Sequence, residues 1–271
     1  MKKVLIALLV LVLFGCSGGA SNNEPATDNS LKVGMECNYA PFNWTQVESS
    51  DTALPISEVD YCDGYDVQIA RVLGEALGRD VAIVKLDWDS LIPALDNGQI
   101  DLVIAGMTDT EERRESVDFT TPYYESQMVV IVRGDSDLTS ITDIQQLSGR
   151  KVLGQINTTY DEIIDQIEGV EHLTPLANYP RMILSLQSGE ADAITAELPV
   201  AVGVVSANPD LAIVYFEEGH GFDVDTSVSI AVKKGNTELL NSVQTALDAI
   251  DADTRLQLML EATERQPAVE E

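Results

Sequence analysis

The chain has 271 residues, of which 45% are hydrophobic, so it can bury one large core or two medium ones. Its 16 basic and 45 acidic residues give a formal net charge of −29, which argues against nucleic acid as a partner because phosphates would be repelled. The acidity indicates either a solubilising surface or a field that attracts cationic solutes.

The N-terminal residues predict export and membrane anchoring. Two lysines precede an apolar run from Val4 to Phe14 that is too short to span a bilayer, so residues 1–15 are predicted to be a signal peptide. The sequence LFGC, which ends at Cys16, resembles the lipobox of bacterial lipoproteins and implies cleavage before that cysteine and its lipidation. Residues 16–30 are rich in Ser, Asn, Gly and Pro, which predicts a flexible tether.

Two further cysteines, Cys37 and Cys62, form an even pair in a chain that is predicted to be exported. In an oxidising compartment such a pair predicts a disulfide, which would close the insertion-like stretch from Val47 to Tyr61. Two buried free thiols are the alternative that the sequence leaves open.

A strand followed by a helix start lies near the middle of the chain. The apolar segment from Ile100 to Ala105 predicts a buried strand, and Gly106 exposes backbone where that strand would end. Thr108 and Glu111 have the spacing of a capping box, which predicts that a helix begins there. Free N–H groups at a helix start favour anions, so this segment is a candidate anion site.

Arg113 lies one turn into the predicted helix and would grip a carboxylate through two parallel hydrogen bonds, which a lysine cannot do. The alternative is that Arg113 and Arg114 pair with neighbouring glutamates on a solvated helix face. The segment AGMTDTEERRESVDFTTPYY resembles the matching segment of the family 3 extracellular solute-binding proteins, which deliver polar amino acids to ABC importers. The resemblance implies that Arg113, rather than Arg114, clamps the α-carboxylate of the ligand.

The resemblance implies an α/β fold of the type II periplasmic-binding-protein-like class, in which a two-strand hinge joins two α/β lobes around a ligand cleft. An internal echo agrees with two similar lobes, because Leu95–Ala105 and Leu186–Ala196 both predict a helix end, a glycine and a buried strand. We expect the first lobe to comprise residues 31–127 and 230–271, and the second lobe to comprise residues 128–229.

The hinge crossings are predicted at the strands Gln127–Arg133 and Ser227–Val232. Near the C-terminus, one amphipathic helix is predicted from Thr237 through Leu258, followed by a polar end from Glu261. In such a fold, ligands bind at the carboxyl ends of the sheet strands.

The resemblance also implies a set of ligand contacts. Tyr39 and Trp88 would be the two aromatic walls around the ligand side chain, and Glu197 would pair with its α-ammonium. Glu36 lies where binders of basic amino acids carry an acid, whereas Asp66 would either cap a helix or approach a cationic ligand. The expected ligand-binding residues are Glu36, Tyr39, Asp66, Trp88, Ala105, Gly106, Met107, Thr108, Arg113, Thr158, Thr159 and Glu197.

A second candidate anion site lies in the predicted second lobe. Asn157, Thr158 and Thr159 precede a predicted helix that begins near Tyr160, and their free N–H groups would face the cleft. The family usually has glycine where Asn157 stands. Asparagine also tolerates left-handed backbone angles, so the loop conformation is expected to be kept.

These expectations define a function. We expect the lobes to close on a free polar amino acid, preferentially lysine, arginine or ornithine with glutamine as a further option, and the closed form to dock on an ABC permease. We expect a monomer on the extracytoplasmic face of the membrane, anchored through its N-terminal lipid, with no cofactor and no metal. The alternatives are an enzyme like cyclohexadienyl or arogenate dehydratase on the same fold, with Glu197 or Glu36 as general acid, and an amino-acid sensor subunit.

Overall fold

A computed structural model describes residues 29–266. The predicted signal peptide, the lipidation site at Cys16 and nearly all of the predicted tether lie outside the described residues. No helix in the part of the chain that the structure describes is long and apolar enough to cross a membrane.

Short strands alternate with helices along the described chain. In chain order, the strands are β1 Leu31–Met35, β2 Asn38–Tyr39, β3 Asn43–Gln46, β4 Leu54–Pro55, β5 Tyr61–Asp63, β6 Val81–Lys85, β7 Leu102–Val103, β8 Val117–Phe119, β9 Tyr124–Glu125, β10 Met128–Arg133, β11 Lys151–Leu153, β12 Glu171–His172, β13 Ala193–Glu197, β14 Leu211–Val214, β15 Ser227–Val228 and β16 Ala231–Lys233. The α-helices are α1 Tyr65–Leu77, α2 Leu91–Asp96, α3 Glu111–Arg114, α4 Thr159–Glu162, α5 Tyr179–Ser188, α6 Leu198–Ala207, α7 Thr237–Asp248 and α8 Ala252–Arg265.

Two five-stranded sheets form within residues 29–266, with orders β6-β1-β7-β16-β8 and β12-β11-β13-β10-β14. In the first sheet β1 runs parallel to β6 and β7, whereas β16 runs antiparallel to β7 and β8. In the second sheet β11 runs parallel to β12 and β13, and β10 runs antiparallel to β13 and β14. Both sheets therefore mix parallel βαβ units with returning antiparallel strands.

The internal echo corresponds to a repeated structural unit. Helix α2 ends before Gly98 and helix α5 ends before Gly189, and both glycines have positive φ, at 78° and 80°. Glycine adopts this conformation without the steric cost that a Cβ brings, so each helix ends there and the chain enters an interior strand, β7 or β13.

The chain crosses between the sheets twice, and the two crossings pair with each other. Strand β9 lies antiparallel to β15, with Ser227 opposite Glu125 and Val228 opposite Tyr124. The first crossing therefore precedes the predicted strand Gln127–Arg133, because β10 already belongs to the second sheet. The second crossing lies at the start of the predicted strand Ser227–Val232, because β16 already belongs to the first sheet. We use "first lobe" and "second lobe" for the divisions predicted above, which remain a proposal.

Two segments differ from their prediction. The C-terminal helix is two helices, α7 and α8, because the side chain of Asp251 accepts a hydrogen bond from the Thr254 N–H and starts a new helix. Helix α8 then continues to Arg265, beyond the predicted start of the polar end, because Met259 and Ala262 are buried. The insertion-like stretch from Val47 to Tyr61 contains β4 and ends where β5 begins, and both strands belong to a small sheet with the order β2-β3-β5-β4.

The predicted disulfide is confirmed, since Cys37 and Cys62 are bonded and both are buried. The bond ties the segment after β1 to strand β5, and the two cysteines are 25 positions apart in the sequence. It therefore closes the small sheet against the first lobe.

Loss of this disulfide should destabilise the protein. We expect Cys37→Ser combined with Cys62→Ser to lower the free energy of unfolding by about 3 kcal/mol, because the unfolded chain regains the entropy of an open loop. Urea denaturation followed by circular dichroism measures the change. A reducing agent should lower the midpoint of the wild-type protein and leave that of the variant unchanged; equal midpoints for all four samples would contradict the prediction.

Candidate functional site

A cleft lies between the lobes, where the chain leaves β7 on one side and β11 on the other. Its inner cavity has a volume of about 10 Å³, which is room for no more than one water molecule. The inner cavity is lined by Glu36, Tyr39, Trp88, Ala105, Gly106, Thr108, Arg113, Gln155, Thr158, Thr159 and Tyr160. An outer vestibule of about 500 Å³ adjoins it, and Met107 lies there with Trp88, Arg113, Thr159 and several acidic residues.

Arg113 faces the cleft from the short helix α3. The predicted cap at Thr108 is wrong: Thr110 caps this helix by accepting the Arg113 N–H, because the chain is still extended at Thr110. The guanidinium donates to the carbonyl of Thr108 at 2.7 Å and to that of Asn157, in the other lobe, at 3.3 Å. Burial lowers the pKa of Arg113, which nevertheless stays cationic at neutral pH.

The two neighbouring arginines have different partners. Among the described residues, no carboxylate forms an ion pair with Arg113, so its charge is available to a ligand anion. Arg114 points to solvent and donates to both oxygens of Asp109, at 2.6 and 2.5 Å. The alternative in which both arginines pair with nearby glutamates therefore does not describe this protein.

Gly106 is held in place from behind the cleft. Its φ is +62°, and an added Cβ would lie 2.9 Å from the Tyr39 ring, so only glycine fits. The Gly106 N–H donates to the Tyr123 hydroxyl at 3.0 Å, and that hydroxyl donates to Asp66 at 2.7 Å. The Gly106 N–H therefore already has a protein partner, and the expected contact of the Gly106 backbone with a ligand carboxylate stays a prediction.

Asp66 lies behind the site rather than in it. Its side chain is fully buried, its two oxygens accept hydrogen bonds from Tyr123 and from Asn43, both at 2.7 Å, and it does not cap helix α1. Burial raises the pKa of Asp66 to about 7, although these hydrogen bonds act in the opposite direction. Asp66 positions the Gly106 loop through Tyr123 and is not among the residues that line the inner cavity.

Glu36 lines the inner cavity. It is buried, and its two oxygens accept from the Gln155 amide of the opposite lobe at 3.2 and 3.3 Å. Burial raises the pKa of Glu36 to about 7; the Gln155 bond opposes this, while Asp87 and Asp89 add to it. Gln155 was missed by the sequence analysis because its role depends on a residue 119 positions away.

The two aromatic residues adopt different environments. Tyr39 is buried, stacks on Phe42 with ring centroids 5.2 Å apart, and donates its hydroxyl proton to Glu197 at 2.6 Å. Trp88 is half-buried, its ring lies 5.2 Å from the Arg113 guanidinium carbon, and its N–H donates to the Asn157 carbonyl at 3.1 Å. Both rings line the inner cavity, and a sandwich of the ligand between them stays a prediction.

The loop before α4 completes the opposite wall. Asn157 has φ +57°, which confirms that asparagine keeps the left-handed backbone expected there. Its amide donates to Asp89 at 2.7 Å, so Asn157 contacts the first lobe through its side chain as well as its carbonyl. Helix α4 has only four residues, and the Thr158 hydroxyl donates to the Gln155 carbonyl instead of capping it, so the predicted second anion site has little helical support.

Glu197 is completely buried at the end of strand β13. It is 0% exposed, and its oxygens accept from the hydroxyls of Tyr39 at 2.6 Å and of Ser126 at 2.7 Å. Burial raises its pKa, against the effect of these hydrogen bonds. Glu197 is not one of the residues that line the inner cavity, because Tyr39 and Tyr160 lie there.

Tyr160 was not predicted as a site residue, although its position beside Thr159 placed it near the cleft. Its side chain is only 5% exposed and lines the inner cavity. The hydroxyl lies near the Glu197 carboxylate and the Thr108 hydroxyl, which influence its pKa, but it makes no hydrogen bond of standard geometry within the described residues. Burial raises the pKa of Tyr160, so this hydroxyl stays protonated.

Comparison with known proteins identifies the family of this chain. The family model described as "Bacterial extracellular solute-binding proteins, family 3" matches residues 31–262. A probable histidine-binding protein of Campylobacter jejuni is 33% identical over 232 residues, which cover 82% of this chain and 85% of that protein. The putative ABC transporter arginine-binding protein 2 of Escherichia coli K12 is 32% identical over 253 residues, covering 93% and 95%.

Solved structures give the same result. The amino acid ABC transporter substrate-binding protein AbpA from Streptococcus pneumoniae, bound to L-arginine, has a TM-score of 0.78 and 27% identity, covering 90% of this chain and 97% of that one. An ancestral arginine-binding protein bound to arginine has a TM-score of 0.72 and 32% identity, covering 86% and 97%. The predicted α/β fold of the type II periplasmic-binding-protein-like class is confirmed, and the chain belongs to the family 3 bacterial extracellular solute-binding proteins.

Proposed function

We propose that this protein binds a free amino acid with a cationic side chain outside the cytoplasm and delivers it to an ABC importer. The observation that carries the proposal is the charge pattern of the inner cavity. Arg113, whose charge no described carboxylate neutralises, lies on the same cavity as the buried acid Glu36. A zwitterion with a basic side chain has charges that complement both groups.

The acidic vestibule supports a cationic ligand. Asp89, Glu111, Glu112 and Glu162 line its walls, and Arg113 lies at its inner end. A concave surface of one charge raises the local concentration of oppositely charged solutes, so basic amino acids would be attracted to the entrance. The arginine- and histidine-binding relatives agree with this ligand class.

Closure of the two lobes is the proposed mechanism. An inner cavity of about 10 Å³ cannot admit an amino acid unless the lobes separate. The paired crossings β9 and β15 are proposed as the hinge, and the polar contacts of Gln155 and Asn157 with the first lobe would break and reform as it bends. A ligand that touches both lobes favours the closed form, which is then proposed to dock on the permease.

Binding is proposed in preference to catalysis. A dehydratase would use a buried acid such as Glu36 or Glu197 as its general acid, so the enzyme alternative predicts turnover of a dehydratase substrate. The named relatives are binding proteins, which favours transport. Incubation with prephenate or arogenate decides between them, since turnover by the purified protein would replace the transport proposal.

Lipid anchoring through Cys16 and a monomeric state complete the proposal. The LFGC sequence supports the lipid anchor. Mass spectrometry of the mature N-terminus, from cells that carry the wild-type protein or Cys16→Ala, tests whether Cys16 is lipidated. Sedimentation of the soluble form measures the oligomeric state. An unmodified N-terminus would remove the anchor from the proposal without affecting ligand binding.

The arginine pair supplies a matched test of the carboxylate clamp. Arg113→Ala should weaken L-arginine binding by about 2–5 kcal/mol, because the ligand carboxylate would lose its buried cationic partner. Arg114→Ala removes the same side chain from the next position, where it points to solvent, and should change the binding free energy by less than about 0.5 kcal/mol. Isothermal titration calorimetry measures both, and equal effects of the two substitutions would contradict the clamp.

Binding of a basic amino acid should depend on pH through Glu36. Its pKa of about 7 in the free protein means that the carboxyl is largely protonated at pH 5.5, and a ligand cation must then displace that proton. L-Arginine affinity should therefore fall below pH 7, by up to about 1.4 kcal/mol per pH unit. Glu36→Gln should bind more weakly at pH 8 and show a flatter pH profile. An unchanged slope would assign the titration to another group.

A further inference from the structure

The α-ammonium of an amino-acid ligand needs hydrogen-bond acceptors in the inner cavity, and the acid expected to provide them is set back from it. Glu197 is completely buried, and each of its oxygens already accepts a hydroxyl proton, from Tyr39 at 2.6 Å and from Ser126 at 2.7 Å. Tyr39 and Tyr160 line the cavity, and Glu197 does not. The side chains that separate Glu197 from the inner cavity are therefore those of the two tyrosines.

Tyr160 is the second observation that points to a ligand. Its side chain is 95% buried, yet its hydroxyl has no hydrogen-bond partner of standard geometry among residues 29–266. A buried polar group without a partner costs stability, so most buried hydroxyls are paired. This hydroxyl lies on the inner cavity beside the Thr108 side chain and close to Glu197.

We propose that the hydroxyls of Tyr160 and Tyr39 receive the ligand α-ammonium, with Glu197 behind them as the counter-charge. The Tyr39 hydroxyl donates its proton to Glu197, so its remaining lone pair is available to an ammonium, and the Tyr160 hydroxyl near the same carboxylate would adopt this orientation when the ligand binds. An ammonium that donates to these oxygens polarises the hydroxyls, and the buried negative charge of Glu197 acts on it with little screening by water. The ligand class is therefore a compound with a protonated primary amine beside its carboxylate, and this inference rests on the proposed amino-acid binding.

The two tyrosines lie on opposite lobes, so the subsite depends on closure of the lobes. Tyr39 follows β1 of the first lobe, whereas Tyr160 lies on α4 and Glu197 ends β13 in the second. The two tyrosines line one cavity, with Glu197 behind them, only when the lobes approach each other. The amine therefore contributes to ligand affinity mainly in the closed form.

The test compares L-arginine with 5-guanidinopentanoate, which has the same side chain and carboxylate and lacks the α-amino group. Calorimetry of the mature full-length protein gives the affinity for each. We expect Tyr160→Phe to weaken L-arginine binding about tenfold or more, because a hydrogen bond to a charged group is lost. The same substitution should leave the affinity for 5-guanidinopentanoate unchanged within about twofold, since that ligand has no amine.

Thermal stability separates this role from a structural one. The Tyr160 hydroxyl makes no hydrogen bond of standard geometry within residues 29–266, so Tyr160→Phe should keep or raise the melting temperature while it weakens arginine binding. Tyr65→Phe is the matched control: its hydroxyl is buried and donates to the Tyr123 carbonyl, and it does not line the inner cavity. This control should leave the ratio of the two affinities unchanged.

Glu197→Gln provides a second variant that keeps the size of the side chain and removes its charge, while its NH2 group replaces one of the two accepting oxygens. It should weaken L-arginine and spare 5-guanidinopentanoate, as Tyr160→Phe does, because the counter-charge is lost. Equal losses for both ligands in Tyr160→Phe, or no loss for arginine, would overturn the tyrosine assignment and leave the transport proposal intact. A wild-type protein that does not bind L-arginine would overturn both.

Discussion

The hydrogen bond from Tyr39 to Glu197 joins the two lobes through two buried side chains. A carboxylate removed from water requires compensating partners, and Glu197 obtains one from the first lobe and one, Ser126, from the segment that connects the lobes. The position of the lobes relative to each other is therefore coupled to the solvation of a single acid. The stacking of Tyr39 on Phe42 and the absence of a side chain at Gly106 both serve to place the phenol for this contact.

Polar rather than apolar contacts close the remainder of the cleft. Gln155 meets Glu36, and Asn157 meets Asp89, Trp88 and Arg113. These neutral amides and carbonyls satisfy charged groups without neutralising them, so a ligand with opposite charges can replace the contacts at moderate cost. The site is thus complementary to a zwitterion even though Arg113 and Glu36 have uncharged partners in the structure.

The sequence was informative where chemistry is local. The helix–glycine–strand repeat, the disulfide and the left-handed Asn157 follow from residue type and neighbouring pattern, whereas the choice of Arg113 over Arg114 for the cleft was implied by the resemblance to the family. The partners of Asp66 and Gly106 could not be predicted, because Tyr123 reaches both from a distant segment. The same limit applies to Gln155 and Tyr160, whose roles arise only when the second lobe faces the first. The break between α7 and α8 depends on which of several possible capping residues, here Asp251, is used.

The small volume of the inner cavity has a kinetic consequence. A bound amino acid held between closely apposed lobes cannot leave by diffusion through the closed protein, so its residence time is set by how often the lobes separate. Substitutions at the paired strands β9 and β15 would then alter association and dissociation rates together while leaving the equilibrium affinity nearly constant. The rate at which the ligand is handed over would then be a property of two short strands that line neither the inner cavity nor the vestibule.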